Sequence, residues 1–351
     1  MAKKTKVVKV GNVSIGGGNP IVVQSMTKTF THDVPASVAQ IHNLEKTGCH
    51  IVRVAVPHEE DALALKKIKD RIHIPLVADI HFNYTFALTA IEAGVDKIRI
   101  NPGNIGSKEA IKAIVSACKE RGIPIRIGVN AGSLEKDILA KYKHATPKAL
   151  VESALNNIKI LEKFGFYDIV VSIKSSSVPV TLEAYREISK KVDYPLHLGI
   201  TEAGIPKVGV IRSSIGIGVL LAEGIGDTIR VSLTGSPIEE VRVAFEILKS
   251  LELIKRGVTI ISCPTCGRCQ IDVEGLSHEI EKMTAHIKMP LKVAIMGCEV
   301  NGPGEAADAD VGLAGGRGVG LIFREGQVVR KVPESEMIEA LLDEIESMAI
   351  K

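Results

Sequence analysis

Four of the six cysteines in this chain lie within about forty residues of one another, in the segments SCPTCGRC and MGCEVNGPGE. Cys263, Cys266 and Cys269 follow at three-residue intervals beside a proline and a glycine, and Cys298 lies further along the chain. Such spacing lets one tight turn direct neighbouring thiolates at one centre, while a distant loop completes the ligand set. The pattern therefore predicts a metal site, and spacing alone leaves both zinc and an iron-sulfur cluster open.

A second group of residues that could do chemistry lies at the ends of short β-branched runs. Because alternate residues of a strand share one face, Asp79 pairs with His81, and Arg99 pairs with Asn101. The same alternation joins Arg126 to Asn130, Ser172 to Lys174, and Arg230 to Ser232. The cations that we expect to converge are Arg53, Arg99, Arg126, Lys174 and Arg230.

Five converging cations repel one another and lose hydration when buried, so they need a bound anion or nearby carboxylates. Asp79 and Glu202 are the only obvious internal carboxylates in the sequence pattern. We therefore infer a multiply charged ligand, and arginine geometry makes a diphosphate the simplest choice. The alternative for any single arginine is a salt bridge at a strand end, and Asp79 with His81 could form a structural pair.

Eight β-branched runs alternate with helical patterns between Ile21 and about Lys255. Helical spacing of apolar residues is clear in segments 36–47, 146–164 and 238–255. Repeated strand-helix units of this number favour an α/β fold of the (β/α)8 TIM barrel type, with a doubly wound sheet as the alternative. In such barrels, catalytic groups lie at the carboxyl ends of the strands and Val, Ile and Leu fill the interior.

The two ends of the chain have different patterns from the barrel region. Residues 7–20 predict a two-stranded hairpin that plugs the lower mouth of the barrel. After Lys255 the pattern predicts a compact α+β unit with a helix at 276–287, a hairpin at 320–332 and a last helix at 333–348. We interpret the glycine-rich segments NGPGE and GLAGGRGVG as loops that shape the metal site. The expected domains are therefore a substrate-binding barrel, residues 1–255, and a metal-binding domain, residues 256–351.

Composition limits the possible partners and compartment. The chain has 351 residues and a net charge of +3, which is too small to indicate nucleic acid as a partner. The first residues lack the apolar core of a signal peptide, and no run reaches the ~18 apolar residues of a membrane span. We therefore expect a cytoplasmic protein without a membrane partner, whose two other cysteines, Cys49 and Cys118, are structural.

The cysteine segments, together with VADIHF, RINPGN, RIGVNAGSL and LGITEAG, resemble the 4-hydroxy-3-methylbut-2-en-1-yl diphosphate synthase family of the non-mevalonate isoprenoid pathway. The resemblance runs from about Val7 to Glu346, in the shorter bacterial form without an inserted domain. It implies a TIM barrel, a C-terminal 4Fe-4S domain, and reductive opening of 2-C-methyl-D-erythritol 2,4-cyclodiphosphate.

The resemblance also implies roles for particular residues. The cluster ligands would be Cys263, Cys266, Cys298 and Glu305, whose carboxylate is a harder and more easily displaced ligand than a thiolate. Cys269 stands where many family members have a non-ligand residue, so a thiolate set with Cys269 in place of Glu305 remains open. Glu202 would act as the acid/base, although a salt-bridge role is the alternative. The implied substrate contacts are Arg53, Arg99, Arg126, Asn130, Lys174 and Ser232, and the strand-end pattern adds Arg230, Asp79 and His81.

The resemblance further implies a homodimer in which two subunits share the active site, and reduced ferredoxin or flavodoxin as electron donor. Two other functions fit the residues. One is a zinc-stabilised phosphosugar isomerase or aldolase with four structural thiolates. The other is a non-catalytic iron-sulfur sensor that binds a phosphorylated metabolite.

Overall fold

A computed structural model describes residues 4–298, 306 and 308–349 of the chain. The chain divides into two compact units, Met1–Leu253 and Ile254–Lys351. None of the helices in the part of the chain that the structure describes is long and apolar enough to cross a bilayer.

The first unit begins with the hairpin that the sequence predicts. Strands β1 (Val8–Val10) and β2 (Val13–Ile15) pair antiparallel. Val10 and Ile15 pack with Val22, Ile51 and Val77, which lie near the amino ends of barrel strands. The hairpin therefore covers the lower end of the barrel, as predicted.

Eight parallel strands form a nearly closed barrel, which confirms the predicted fold class. The sheet order is β8-β7-β6-β5-β4-β3-β10-β9, and a bridge between Val171 and Leu196 brings the two edges together. All eight β-branched runs form strands. These are β3 (Val22–Met26), β4 (Ile51–Ala55), β5 (Leu76–Asp79), β6 (Lys97–Ile100), β7 (Ile125–Asn130), β8 (Ile169–Lys174), β9 (His197–Leu198) and β10 (Thr228–Ile229).

Nine helices follow these strands among the described residues of the first unit. Several begin at a side-chain cap: Ser107, Thr146 and Ser177 each accept a hydrogen bond from a backbone N–H in the first turn. The helices are α1 (Val34–Thr47), α2 (Glu59–Lys69), α3 (Tyr84–Glu92), α4 (Lys108–Arg121), α5 (Lys136–Tyr142), α6 (Pro147–Lys163), α7 (Val178–Lys191), α8 (Pro206–Ala222) and α9 (Pro237–Ser250).

The barrel interior is more polar than the usual Val, Ile and Leu filling. Gln24, Lys97, His197 and Thr228 are all buried on inward-facing strand positions. Lys97 Nζ donates to Gln24 Oε1 at 3.4 Å, and His197 Nδ1 lies 3.4 Å from Thr228 Oγ1. A hydrogen-bonded polar layer therefore lies below the strand ends, where an apolar core was expected.

The second unit is a five-stranded mixed sheet with helices α10 (Val273–Thr284) and α11 (Met337–Ala349). Its apolar core includes Ile280, Leu313 and Leu341. The strands lie in chain order: β11 (Val258–Ser262), β12 (Leu291–Met296), β13 (Val311–Gly316), β14 (Val319–Arg324) and β15 (Gln327–Pro333).

The prediction that GLAGGRGVG is a loop is wrong, because β13 and the start of β14 run through it. Its glycines are required by close packing. A Cβ on Gly312 would lie 2.3 Å from the Phe323 ring, and one on Gly315 would lie 2.6 Å from Ile271. Side chains of neighbouring elements thus fill the space above this strand, and packing overrides the low strand propensity of glycine.

Candidate functional site

A cavity of about 180 Å³ opens at the carboxyl ends of the barrel strands. It contains all nine residues that were predicted to contact substrate. Parallel strands place their carboxyl ends at one mouth, which explains why residues distant in sequence meet there. The barrel cavity is lined by Arg53, Asp79, His81, Arg99, Arg126, Gly128, Asn130, Ser172, Lys174, Thr201, Arg230 and Ser232.

Asp79 is the carboxylate that holds two of the cavity's arginines. Arg99 Nη1 donates to Asp79 Oδ1 at 3.1 Å, and Arg53 Nε lies 3.6 Å from Asp79 Oδ2. Burial alone would raise the pKa of Asp79, but the charges of Arg53 and Arg99 lower that pKa well below its ordinary value. Asp79 is therefore ionised and offsets part of the positive charge.

Gly128 allows one of these arginines to fit. Arg99 Nη2 donates to the Gly128 carbonyl at 2.5 Å. A Cβ on Gly128 would lie 2.1 Å from Arg99 Nε, a separation that atoms do not tolerate. The glycine in RIGVN therefore leaves room for the guanidinium of the neighbouring strand.

The cavity keeps an excess of unpaired cationic donors. Arg126 is 1% exposed, and its Nε and Nη1 atoms have no hydrogen-bond partner among the residues that the structure describes. The same holds for Nε of Arg99 and of Arg230. Unpaired buried donors carry a desolvation cost that a bound anion would remove. These atoms point to a ligand with several negatively charged oxygens.

Burial and mutual repulsion act together on the other cations. Burial, followed by the charges of Arg230 and Arg126, lowers the pKa of Lys174 well below its ordinary value. Burial and then the charges of Arg53 and Arg99 lower the pKa of Arg126 in the same way. Lys174 Nζ has a weak contact with His197 Nε2 at 3.4 Å. The repulsion between these buried cations would be reduced by an anionic ligand, so the cavity favours binding of an anion.

Glu202 does not lie among the cavity-lining residues. Its side chain is exposed, and its backbone has a φ of 53°, in the left-handed region. The preceding residue, Thr201, lines the cavity instead. Glu202 is therefore adjacent to the mouth of the cavity, and the expected placement of its carboxylate among the cations is not seen.

Glu240 is a buried carboxylate that the sequence interpretation missed. Its carboxylate accepts hydrogen bonds from Leu233 N at 3.0 Å and Ser25 Oγ at 3.2 Å, and lies 3.0 Å from Lys28 Nζ. Burial lowers the pKa of Arg230, and Glu240 is the first of the charges that oppose this shift. The sequence feature that could have identified Glu240 is its position among the buried apolar residues of α9.

The second candidate site is the cysteine end of the C-terminal unit, which we define as Cys263, Cys266, Cys269, Gly297 and Cys298. Cys263 directly follows β11, and Gly297 and Cys298 directly follow the parallel neighbour β12. All four thiols are free, and Cys266 is exposed. The two strands thus bring the cysteine segments to one edge of the sheet.

Gly297 leaves the space that the sulfurs occupy. Its N–H donates to Cys263 Sγ at 3.2 Å. A Cβ on Gly297 would lie 2.4 Å from Cys269 Sγ and 3.2 Å from Cys263 Sγ. This cradle of soft sulfur donors fits an iron-sulfur cluster or zinc. Glu305, the predicted fourth ligand, lies outside the described residues.

Cys49 and Cys118 are separate from both sites. Both thiols are buried, and burial raises the pKa of each to about 12. Neutral thiols of this kind are inert, in agreement with the structural role inferred for them.

A TIM barrel with a cation-lined cavity, joined to a unit with clustered free thiols, defines a class of barrel protein that combines anion binding with a thiolate metal site. The GcpE TIM-barrel domain model matches residues 5–245, and the GcpE protein C-terminal domain model matches residues 259–347. The chain belongs to the GcpE family.

Curated relatives match along the whole chain. One from Caldanaerobacter subterraneus subsp. tengcongensis is 63% identical over 99% of this chain and 98% of its own length. Another from Geobacillus thermodenitrificans is 59% identical over 99% of this chain and 92% of its own length. Both are named 4-hydroxy-3-methylbut-2-en-1-yl diphosphate synthase (flavodoxin).

Solved structures of other enzymes share the barrel. Yersinia pestis dihydropteroate synthase matches with a TM-score of 0.52 at 11% identity, over 70% of this chain and 98% of its own. The enzyme from Vibrio fischeri matches with a TM-score of 0.52 at 13% identity, over the same shares. At these identities the likeness concerns the fold alone.

Proposed function

We propose that this chain is an iron-sulfur oxidoreductase that converts 2-C-methyl-D-erythritol 2,4-cyclodiphosphate to 4-hydroxy-3-methylbut-2-enyl diphosphate. The observation that carries the proposal is the barrel cavity, where buried guanidinium donors lack partners among the residues that the structure describes and a diphosphate would supply them. Full-length relatives that bear the name of this synthase support the same reaction over the zinc-dependent alternative.

The cavity residues bind and orient the substrate in this proposal. Arg126 and Arg99 direct unpaired N–H groups at the diphosphate oxygens, and Lys174 adds a compact charge. Asn130 and Ser232 contact hydroxyl groups or phosphate oxygens. Arg53, Arg230, Asp79 and His81 complete the wall.

The reaction opens the ring at its C2–O bond and removes the C3 hydroxyl as water, with the uptake of two electrons. The diphosphate oxygen released from C2 leaves as an anion, which the cavity cations hold in place. The C3 hydroxyl must gain a proton to leave as water. We assign proton transfer to Glu202, which follows the lining residue Thr201 and is open to solvent.

The cysteine end would hold a 4Fe-4S cluster through Cys263, Cys266 and Cys298, with Glu305 as the fourth ligand. When bound, the cluster supplies the two electrons one at a time. Cys269 is the alternative fourth ligand. A reduced flavodoxin is the donor suggested by the names of the relatives, and ferredoxin is the other candidate.

A single experiment tests the activity. The full chain is purified and reconstituted without oxygen, its iron, sulfide and zinc are measured, and the cyclodiphosphate is added with reduced flavodoxin or ferredoxin. We expect four irons per chain, the estimate that follows from the cluster type, and formation of the linear diphosphate detected by phosphorus NMR. Zinc without iron, or iron with no turnover by either donor, would contradict the proposal.

We also propose that two subunits share each active site. A mixture of Glu202→Gln and Cys298→Ser chains then forms heterodimers with one intact barrel and one intact cluster at the same site. Activity should recover to about a quarter of the wild-type level if subunits mix at random. Verified heterodimers without activity would argue against a shared site.

A further inference from the structure

Two thiols of the cysteine end, those of Cys263 and Cys269, lie near the Cβ position of the same glycine. The Cβ position of Gly297 lies 2.4 Å from Cys269 Sγ and 3.2 Å from Cys263 Sγ. The two sulfurs are therefore closer together than the sum of these distances. Both sulfurs thus lie beside the same backbone position, which is the observation from which a bond between them is inferred.

Backbone contacts hold both cysteines where they are. Gly297 N donates to Cys263 Sγ at 3.2 Å, and Cys269 N donates to the Cys266 carbonyl at 2.9 Å. Cys269 Sγ donates to the Ile271 carbonyl at 3.1 Å. Both sulfurs also pack against the apolar core of the C-terminal unit. The positions of both cysteines are thus set by the folded sheet edge.

We propose that Cys263 and Cys269 form a reversible disulfide when the protein carries no cluster. One thiolate of the pair attacks a low-molecular-weight disulfide, forms a mixed disulfide and releases one thiol. The second thiolate attacks the protein sulfur of that mixed disulfide, closes the Cys263–Cys269 bond and releases the second thiol. Two protein thiols are oxidised, and one small disulfide is reduced to two thiols.

The disulfide would protect a cluster ligand. A free Cys263 thiolate can proceed to sulfinic acid, which is not reversed in most proteins, whereas a disulfide is reduced by small thiols. The bond must then be reduced before Cys263 can bind iron. This consequence rests on the proposed function, but the disulfide itself does not.

Peptide mapping of the full chain without its cluster tests the bond. The protein is equilibrated with mixtures of glutathione and glutathione disulfide, blocked with N-ethylmaleimide and digested with trypsin. Cleavage after Arg256, Arg268 and Lys282 separates residues 257–268, which contain Cys263 and Cys266, from residues 269–282, whose one cysteine is Cys269. We expect a linked pair of these peptides that increases with the proportion of glutathione disulfide, whereas a Cys263–Cys266 bond would stay within one peptide.

Three variants identify the partner. Cys266→Ser is the matched control and should keep the linked pair, while Cys263→Ser and Cys269→Ser should reduce it by about tenfold or more. No linked pair in the wild-type chain, or a pair that persists in Cys263→Ser, would overturn the proposal.

Cluster loading gives a second readout. Wild-type protein oxidised by glutathione disulfide should take up iron and sulfide only after treatment with a thiol reductant. Oxidised Cys269→Ser should load without that treatment. If neither protein ever loads, the proposed function fails and the peptide result still decides the disulfide. Equal loading of both without reductant would remove the role that we assign to the bond.

Discussion

The barrel cavity and the cysteine end prepare for their ligands in opposite ways. In the barrel cavity, rigid strands hold guanidinium groups together against their own repulsion. Arg126 is buried, and two of its nitrogens have no partner in the described part of the chain. At the cysteine end, partly exposed thiols lie over Gly297, and those of Cys263 and Cys269 have ordinary hydrogen bonds. Strain is stored at the first site and little at the second.

The two sites differ in how much each lowers the stability of the ligand-free protein. A buried cation without a partner destabilises the free protein and gains its partner only when an anion binds. The thiols cost little until they are ordered around a metal. Replacing a buried cation that lacks partners among the described residues should therefore stabilise the empty barrel, whereas replacing a ligand thiol should leave the stability of the C-terminal unit nearly unchanged.

The largest expected effect comes from Arg126→Met. Methionine is an apolar side chain of roughly similar shape, and it removes a buried charge that lacks partners among the described residues. The melting temperature of the ligand-free protein should therefore stay the same or rise. Loss of a charged contact to the substrate should lower kcat/KM by about a thousandfold. Arg186→Met is the control, because Arg186 pairs with Glu223 on the surface and both effects should be small. A fall of many degrees in melting temperature would mean that Arg126 is a structural residue.

The next effect is that of Asp79→Asn, which removes the carboxylate that the arginines surround. Breaking this buried pair should cost about 3 kcal/mol in the free energy of unfolding at pH 7. The folded pKa of Asp79 lies below its unfolded value, so its stabilisation is present above the unfolded pKa of 3.8 and is lost as pH falls through the folded pKa.

The measurement for Asp79 is urea unfolding of both proteins from pH 7 to pH 3. The difference in free energy of unfolding between the wild-type chain and Asp79→Asn should be constant above about pH 5 and should decrease below about pH 4. A difference in unfolding free energy that does not change with pH would show that the interaction does not depend on the charge of Asp79.

The barrel strands show how far a period-two pattern can predict a site. The structure places Arg99 and Asp79 at the predicted mouth of the barrel, because a side chain two residues along a strand points to the same face. Lys97 shares the face of Arg99, so the pattern contained it as well. Lys97 was not predicted as part of the polar interior, because barrel interiors below the strand ends are usually filled by apolar side chains.

Where the regular structure stops, the sequence prediction becomes weaker. Strand β9 covers only two residues, and Glu202 lies beyond it with a left-handed backbone, so alternation no longer fixes its direction. Glu240 reaches the barrel from a helix, and its partners Ser25 and Leu233 are set by tertiary packing. Gly312 lies in a strand because Phe323 packs over it, a contact that sequence alone does not reveal.

Ligand binding gives the third expected effect. Inorganic diphosphate should raise the melting temperature of the wild-type protein, because it pairs donors that are unpaired in the free cavity. At a concentration one hundred times Kd, the gain in unfolding free energy is about 2.7 kcal/mol. The stabilisation should weaken with added salt and be much smaller in Arg126→Met. Equal stabilisation of wild type and Arg126→Met would show that the anion binds elsewhere.

The smallest expected effect on stability is that of Gly297→Ala at the cysteine end. The new methyl group meets Cys269 Sγ, which lies at the end of a side chain that can rotate, so the cost should be only about 1 kcal/mol. The sulfurs are nevertheless pushed apart, and the iron bound per reconstituted chain should fall. Gly267→Ala is the control, since no atom of the described residues lies within 4 Å of its Cβ position.

A double variant separates the clash from other effects of the alanine. Cys269→Ala removes the sulfur at 2.4 Å, so Gly297→Ala should cost less in that background than in the wild-type chain. The coupling is measured from unfolding free energies of the four proteins in the absence of metal. A coupling near zero would mean that Cys269 does not occupy the space over Gly297. In that case the comparison with the barrel cavity would no longer hold. The space over Gly297 would be empty, and not occupied by thiols with ordinary hydrogen bonds.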